Sequence, residues 1–277
     1  MSVAVLGPGA VGGALAVRMA LAGVSVVCVA RHETAQAIRA QGLMLKHEGA
    51  VLQAWPEAVE AFEYPVDLLL VTVKAPGLGP ALDLVRSDPG LVLPLLNGLE
   101  HMEALRSRFP HVAAATIGRL EAHREGPTHI VQRGGPPIVT VADAATAPAL
   151  ALAGLEVRTG GTEKDVLWEK LARLAPLAAL TAATQRPVGA LRSDPRLKAG
   201  IEEASAVALA DGARTSPAAQ WAIIDGMAPD LTTSAARDVA AGRPSELDAI
   251  TGSVIRAGRR LGVPTPTLDE LLEQCRA

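Results

Sequence analysis

Gly7, Gly9 and Gly12 stand in the spacing G-x-G-x-x-G, within Gly7-Pro8-Gly9-Ala10-Val11-Gly12. That spacing suits a turn that cradles phosphate. Gly7 lets the chain turn sharply off a strand. Gly9 keeps side-chain atoms away from an approaching pyrophosphate. Gly12 lets a helix pack close to the sheet. The N-terminus of that helix offers free N–H groups and a partial positive charge to an anion. The glycines alone are a weak signal, and a glycine-rich turn without a ligand has the same letters. Their context strengthens them. The apolar run Val3-Ala4-Val5-Leu6 precedes them, and an alanine- and leucine-rich stretch follows to Ala22.

The end of the second apolar run, Val29-Ala30-Arg31-His32, bears on which nucleotide would bind. An NAD site places Asp or Glu there to hold the ribose 2′-hydroxyl, whereas an NADP site has an arginine nearby. Arg31 is a cation at about the expected distance, and a guanidinium can grip a 2′-phosphate with two hydrogen bonds. His32 could add to that grip. A register two residues longer would instead put Glu33 at the ribose diol. Arg31 favours NADPH, against the plain reading of a solvated residue at a strand end.

Lys170 lies four residues after Val166, three after Leu167 and four before Leu174. Helical geometry puts it among those apolar side chains. A lysine so placed loses hydration, its proton affinity falls, and it becomes a readier proton donor. Hydride addition to a carbonyl builds negative charge on oxygen, which such a lysine can stabilise and protonate. A boundary lysine that snorkels to water has the same spacing. Asn97 follows an apolar strand at its C-terminal end, where open α/β sheets bind ligands, but Asn97-Gly98 is also a common turn. Lys74 likewise follows a strand and fits solvent as well as a cofactor. Ser234, before Ala-Ala-Arg-Asp, reads as a helix cap. Glu246 reads as first-turn dipole compensation in a helix that Ser245 caps, with Asp248 in the box position.

Elements must position these groups. Short apolar strands at Ser25–Ala30, Val66–Val73 and Leu91–Leu96 alternate with helical stretches at Glu33–Gln41, Gly77–Arg86 and Glu100–Phe109. That alternation predicts a parallel, doubly wound sheet. Leu43–Lys46 and Ala50–Trp55 flank His47-Glu48-Gly49 and predict a hairpin inserted in that sheet. Short segments at Ala113–Ile117, His129–Gln132 and Ile138–Val141 predict antiparallel strands closing the domain. Beyond Gly160-Gly161 the pattern is helical: Glu163–Thr184 with Pro176 as a kink point, Asp194–Asp211, Pro217–Ile224, Ser234–Ala241, Ser245–Leu261 and Thr267–Arg276. The expected organisation is a Rossmann-type α/β domain over residues 1–162 and an all-helical domain over 163–277. Ligand sites favour such boundaries.

Composition narrows the function classes. Hydrophobic residues make up 49% of the 277 positions and aromatics 2%, so the core must be built from Ala, Leu and Val. The net charge is −3, with no basic block, which argues against a nucleic-acid partner. No apolar run reaches the length of a membrane span, and the first apolar segment ends in the glycine motif rather than in a cleavage site. Cys28 and Cys275 form no metal motif or disulfide framework, and the six histidines do not cluster. A cytoplasmic protein fits. Alanine-rich helices in the second half could form a homodimer face and fit a core equally.

Together with the glycines and Arg31, four further motifs carry a resemblance. They are Val71-Thr72-Val73-Lys74, Leu95-Leu96-Asn97-Gly98, Trp168-Glu169-Lys170-Leu171-Ala172, and Thr233-Ser234-Ala235-Ala236-Arg237-Asp238 followed by Ser245-Glu246-Leu247-Asp248-Ala249-Ile250-Thr251-Gly252. In order and spacing the chain resembles the ketopantoate reductases over nearly its full length. The resemblance implies NADPH-dependent reduction of the 2-keto acid ketopantoate to pantoate, for pantothenate and coenzyme A synthesis. It implies that Lys170 is the catalytic lysine, and that Glu246 accepts a substrate hydroxyl and pairs with it. It implies that Asn97 and Ser234 contact substrate, and that Lys74 and Asn97 join the glycine loop and Arg31 in holding the cofactor. One departure stands out. The family usually carries two asparagines after its lysine, and here those positions are Leu174 and Ala178.

Overall fold

A computed structural model describes residues 1–152 and 155–276; Ala277, the last residue of the expected helical domain, lies outside the described residues. In chain order, β1 (Ser2–Leu6) leads into α1 (Ala10–Leu21), β2 (Ser25–Val29) and α2 (His32–Gln41). β3 (Leu43–His47), β4 (Ala50–Ala54) and β5 (Glu57–Val59) follow, then β6 (Leu68–Val71), α3 (Leu78–Leu82), β7 (Leu91–Pro94) and α4 (His101–Arg106). Next come β8 (Ala115–Gly118), β9 (Glu121–Arg124), β10 (His129–Arg133), β11 (Ile138–Val141), α5 (Ala147–Leu152) and β12 (Glu156–Thr159). The remainder is helical: α6 (Glu163–Thr184), α7 (Val188–Leu191), α8 (Pro195–Ala210), α9 (Pro217–Asp225) and α10 (Ser234–Ala240). A π-helical turn at Asp248–Gly252 then runs into α11 (Ser253–Leu261), and α12 (Pro266–Gln274) follows. The chain forms two compact units, Met1–Leu96 with His101–Glu163, and Asn97–Glu100 with Lys164–Ala277.

The first unit is built on a five-stranded sheet in the order β5-β2-β1-β6-β7, with every pairing parallel. Successive strand residues point to opposite faces. Val3, Val5, Val26, Cys28, Leu68 and Leu70 pack on one face with α1 and α2. Ala4, Leu6, Val27, Val29, Leu69 and Val71 pack on the other with Leu78 and Ala81 of α3 and Leu105 of α4. Apolar side chains on both faces and helices on both sides make the sheet doubly wound. α1 is apolar nearly all round, and Gly12–Val17 and Met19 are buried. Gly13 makes its close packing possible, since a Cβ there would lie 2.9 Å from Ile130 Cδ1 of β10.

Two expectations need correction. The hairpin of β3 and β4 is not inserted in the parallel sheet. It forms a separate four-stranded sheet, β4-β3-β10-β9, in which β10 lies parallel to β3. Ala50 and Val51 of β4 are exposed, as suits a sheet edge rather than a doubly covered centre. The later strands are also not purely antiparallel. β8 pairs antiparallel with β11, whereas β12 pairs parallel with it, completing a third sheet. The α5 crossover between β11 and β12 permits the parallel pairing.

The second unit packs its helices around α6, which continues as helix through Pro176. Alanines 172, 175, 178, 179 and 182 are buried and let neighbouring helices approach closely. α8 crosses at Gly200, where a Cβ would stand 2.7 Å from Pro176 Cβ. Trp168 is fully buried and donates its indole N–H to Asp211 Oδ2 at 2.9 Å. The carboxylate of Glu203 on α8 accepts from the backbone N–H of Thr267 and Leu268, satisfying the start of α12.

Candidate functional site

The glycine loop of the first unit has room where a ligand would need it and contact elsewhere. Gly7 has φ +84°, and a Cβ on it would meet Val73 Cγ1 at 2.4 Å. A Cβ on Gly12 would meet Thr72 Oγ1 at 2.2 Å. Thr72 Oγ1 donates to the carbonyls of Gly7 (2.8 Å) and Leu6 (3.1 Å), pinning the turn to the end of β6. A Cβ on Gly9 would have its nearest neighbour 3.9 Å away, so the outer face of Gly9 is open. α1 starts at Ala10 with no side-chain cap, leaving the first-turn N–H groups to an external acceptor. This arrangement fits a dinucleotide pyrophosphate.

β2 ends at Val29, so Arg31 flanks the start of α2 and Glu33 lies in that helix's first turn. Arg31 and Glu33 are exposed. His32 instead faces Glu60, with Nδ1 3.0 Å from Oε1. Arg124 at the end of β9, far away in sequence, stands close to Arg31. Loss of hydration around its guanidinium, and then the Arg31 charge, lower its proton affinity. Its Nε donates to the Gly126 carbonyl at 3.0 Å. Neither guanidinium has a carboxylate partner among the described residues, so the two form a concentrated cationic patch beside the start of α2. Lys74 is exposed and precedes a short 3₁₀ turn at Ala75–Gly77.

Lys170, Glu246, Asn97 and Ser234 all belong to the second unit. Lys170 is partly buried in the middle of α6. Burial pushes its proton affinity down, the neighbouring Arg173 charge adds to that, and Glu246 opposes both, leaving it at about 8. Lys170 and Glu246 are thus electrostatic neighbours although far apart in sequence. Glu246 stands just before the π turn, and its carbonyl accepts from Ile250 N at 2.9 Å. Thr251 within that turn donates to the Ala175 carbonyl of α6 at 2.9 Å, fixing the turn against the helix that carries the lysine.

Asn97 is held by its neighbours. Gly98 has φ +95°, and a Cβ on it would lie 2.2 Å from the Ala249 carbonyl of the π turn. Glu100 receives two hydrogen bonds from Arg256, at 2.6 and 2.8 Å, and Arg256 also contacts Asp248. The Asn97–Glu100 loop is therefore seated on the segment that follows Glu246. Asn97 Oδ1 is buried and has no hydrogen-bond partner. A buried acceptor left unmatched costs about 1–3 kcal/mol, which a ligand donor would offset. The nearby His101 is 6% exposed, with both ring nitrogens unpartnered, and burial pushes it down to about 4, so it is neutral at neutral pH.

Three local expectations are corrected here. Ser234 is not a cap. Thr233 caps α10, with its Oγ1 accepting from Ala236 N (3.2 Å) and bonded to Thr181 Oγ1 of α6 (2.7 Å), while Ser234 is exposed in the first turn. Ser245 does not cap either, because the helical turn begins three residues later at Asp248, after Leu247 and with no side-chain cap. The expected single helix over Ser245–Leu261 is interrupted by the π turn, a feature often found at functional sites. Gly252 makes room for it, since a Cβ there would press on Asp248 Oδ1 at 2.9 Å. Leu174 is partly buried, and Ala178 is wholly inside the helical core. Sequence reasoning missed Arg124 and Arg173. Arg173 was signalled by its place three residues after Lys170, whereas Arg124 had no local signal.

No group of three or more His, Cys, Asp and Glu among the described residues could hold a metal ion, and no described helix is long and apolar enough to cross a membrane. Residues 3–145 match the family model for ketopantoate reductase PanE/ApbA, and residues 164–277 match that for its C-terminal part. A 2-dehydropantoate 2-reductase of Caulobacter vibrioides is 31% identical over 281 residues, spanning 96% of this chain and 94% of the relative. A crystal structure of a PanE/ApbA family ketopantoate reductase from Ralstonia eutropha JMP134 superposes with a TM-score of 0.87 at 32% identity, covering 100% of this chain and 97% of that one. D-mandelate dehydrogenase, solved with NADH and anilino(oxo)acetate, shares the fold with a TM-score of 0.90 at 22% identity, over 100% of this chain and 97% of that one. By family model, overall identity and fold, this chain belongs to the ketopantoate reductase PanE/ApbA family of oxidoreductases.

Proposed function

We propose that the protein reduces ketopantoate to pantoate with NADPH, in the cytoplasm, as a step toward pantothenate and coenzyme A. The observation that carries this reading is Lys170, partly buried, held at about 8 and faced by Glu246. The unmatched Asn97 Oδ1 supports it, since a hydroxylated keto acid can supply the missing donor.

The residues divide the work. The open face of Gly9, with Gly7, Pro8, Ala10, Val11 and Gly12 around it, receives the dinucleotide phosphates on the start of α1. Arg31 receives the 2′-phosphate, with Arg124 adding positive charge beside it. Lys74 and Asn97 complete the cofactor contacts. NADPH, when bound, supplies the hydride that reduces the keto carbon. Lys170 polarises the keto oxygen and gives it a proton as negative charge develops there. Its lowered proton affinity makes that transfer easier, and the proton is regained from solvent afterwards. Glu246 accepts a hydrogen bond from substrate hydroxyl and keeps Lys170 charged while substrate enters. Asn97 and Ser234 orient the remaining polar groups.

Leu174 and Ala178 favour a second reading, in which the same chemistry acts on a different 2-keto acid. Apolar side chains at those positions give α6 fewer groups to bind a substrate hydroxyl. Following NADPH absorbance with ketopantoate beside a panel of 2-keto acids tests both. Fastest turnover with ketopantoate supports the first reading. Preference for an acid without the hydroxyl supports the second. Tight NADPH binding with no turnover of any acid would refute both and leave a dinucleotide-binding sensor.

A further inference from the structure

Arg173 lies one helical turn beyond Lys170, and the second unit holds it in place through hydrogen bonds rather than a salt bridge. Its Nη1 donates to the Glu169 carbonyl and to Gln220 Oε1, the latter at 3.2 Å. Gln220 is 2% exposed, and its Nε2 donates to Thr215 Oγ1 at 2.8 Å. A buried amide anchored at both ends thus fixes the guanidinium from α9. Nε and Nη2 of Arg173 have no partner among the described residues, and neither is sealed from solvent. Arg173 is partly buried, and no carboxylate pairs with it in a salt bridge among the described residues.

Positions three apart on a helix bring Cβ atoms to about 5–6 Å. Two cations at that spacing repel each other, more so where water is scarce. Glu246 faces Lys170, and the carboxylate that bears on Arg173 is the solvent-exposed one of Glu169, so water screens the Arg173 charge from its nearest opposite charge without a salt bridge. Packing alone gives no reason to keep an arginine in this position, because an uncharged side chain could bond Gln220. A 2-keto acid gives a reason. Its keto oxygen and its carboxylate sit on adjacent carbons, and neighbouring cations match that pattern. Of Val166, Leu167, Lys170, Arg173, Leu174 and Leu177 on this face of α6, only Lys170 and Arg173 carry donor side chains.

Given the proposed 2-keto acid reduction, we propose that Arg173 is a substrate-binding residue, with Nε and Nη2 holding the substrate carboxylate while Lys170 faces the keto oxygen. At Leu174 and Ala178 α6 has no polar group for a hydroxyl, whereas Arg173 gives it a charged donor for a carboxylate. Every productive substrate would then carry an ionised acid next to the keto group, whatever its side chain.

Calorimetry on the protein loaded with NADP⁺ tests this. The probes are the 2-hydroxy product of the 2-keto acid reduced fastest in the panel above, and the carboxamide of that product. In Arg173→Gln and Arg173→Met the acid should bind 10- to 100-fold more weakly, and the carboxamide should change less than about threefold. Arg173→Lys should retain part of the preference for acid. KM for the keto acid should rise more than kcat falls. NADPH affinity, measured on the same variants, should stay within about twofold and shows that they are folded. Equal losses for acid and carboxamide, or no loss for either, would overturn the assignment while the reductase reading stands. A wild-type protein that binds NADPH but reduces no 2-keto acid would remove both.

Discussion

At the scale of single residues, Lys170 is where stability and the proposed chemistry pull in opposite directions. Its proton affinity falls from the ordinary 10.5 to about 8, chiefly through burial. The unfolded chain therefore binds more protons than the folded one between about pH 8 and 10.5, and this group's contribution to stability rises with pH through that window. Below pH 8 the lysine is charged in both states and burial exacts its full cost. Lys170→Met should leave stability at pH 7 unchanged or raise it, and the difference should shrink by pH 10. Urea denaturation at the two pH values reads this directly. The same variant should lose at least about 100-fold in turnover. Marked destabilisation at pH 7 would instead assign Lys170 a structural role. If Lys170 is the proton donor, kcat/KM of the wild type should fall as pH rises through about 8.

At the scale of elements, the site depends on two irregular pieces of backbone. One is the left-handed residue Gly98 and the other is the π turn on which its loop rests. An alanine at position 98 would need both an unfavourable φ and a shift of the Ala249 carbonyl. Gly98→Ala should therefore cost more than about 1 kcal/mol in chemical denaturation and raise KM through displacement of Asn97. A variant with unchanged stability and KM would show that this seat does not position Asn97. These pieces were poorly legible in the sequence. Helical periodicity cannot register a single-residue widening of the hydrogen-bond ladder, so Asp248–Gly252 read as part of one regular helix. Thr233 and Ser234 are both good caps by type, and only the Thr181 hydroxyl across on α6 selects Thr233.

At the scale of the whole molecule, the two units keep separate apolar cores and hold different chemistry. The first carries the open glycine loop and the cations Arg31 and Arg124. If these read the 2′-phosphate, Arg31→Gln and Arg124→Gln should each weaken NADPH by about 10-fold or more while leaving NADH within about threefold. Fluorescence titration with both cofactors measures it. Equal weakening of the two would place Arg124 at the pyrophosphate and remove the argument for NADPH. The second unit carries the lysine, its carboxylate and the borrowed loop Asn97–Glu100, which the chain contributes from between two elements of the first.

The sequence by itself determined the parallel sheet, the helical second half, the span of α6 and the family. Each rests on a local or periodic signal: a glycine spacing, apolar runs bounded by turns, a repeat near 3.6 residues, or a short ordered motif. Tertiary structure alone decided what depends on distant partners. It separated the β3–β4 hairpin from the parallel sheet by pairing β3 with β10. It brought Glu246 to Lys170, Arg124 to Arg31 and the Asn97 loop onto the π turn. It also set the proton affinity of Lys170, because burial and neighbouring charge belong to the folded surroundings of a residue and not to its place in the chain.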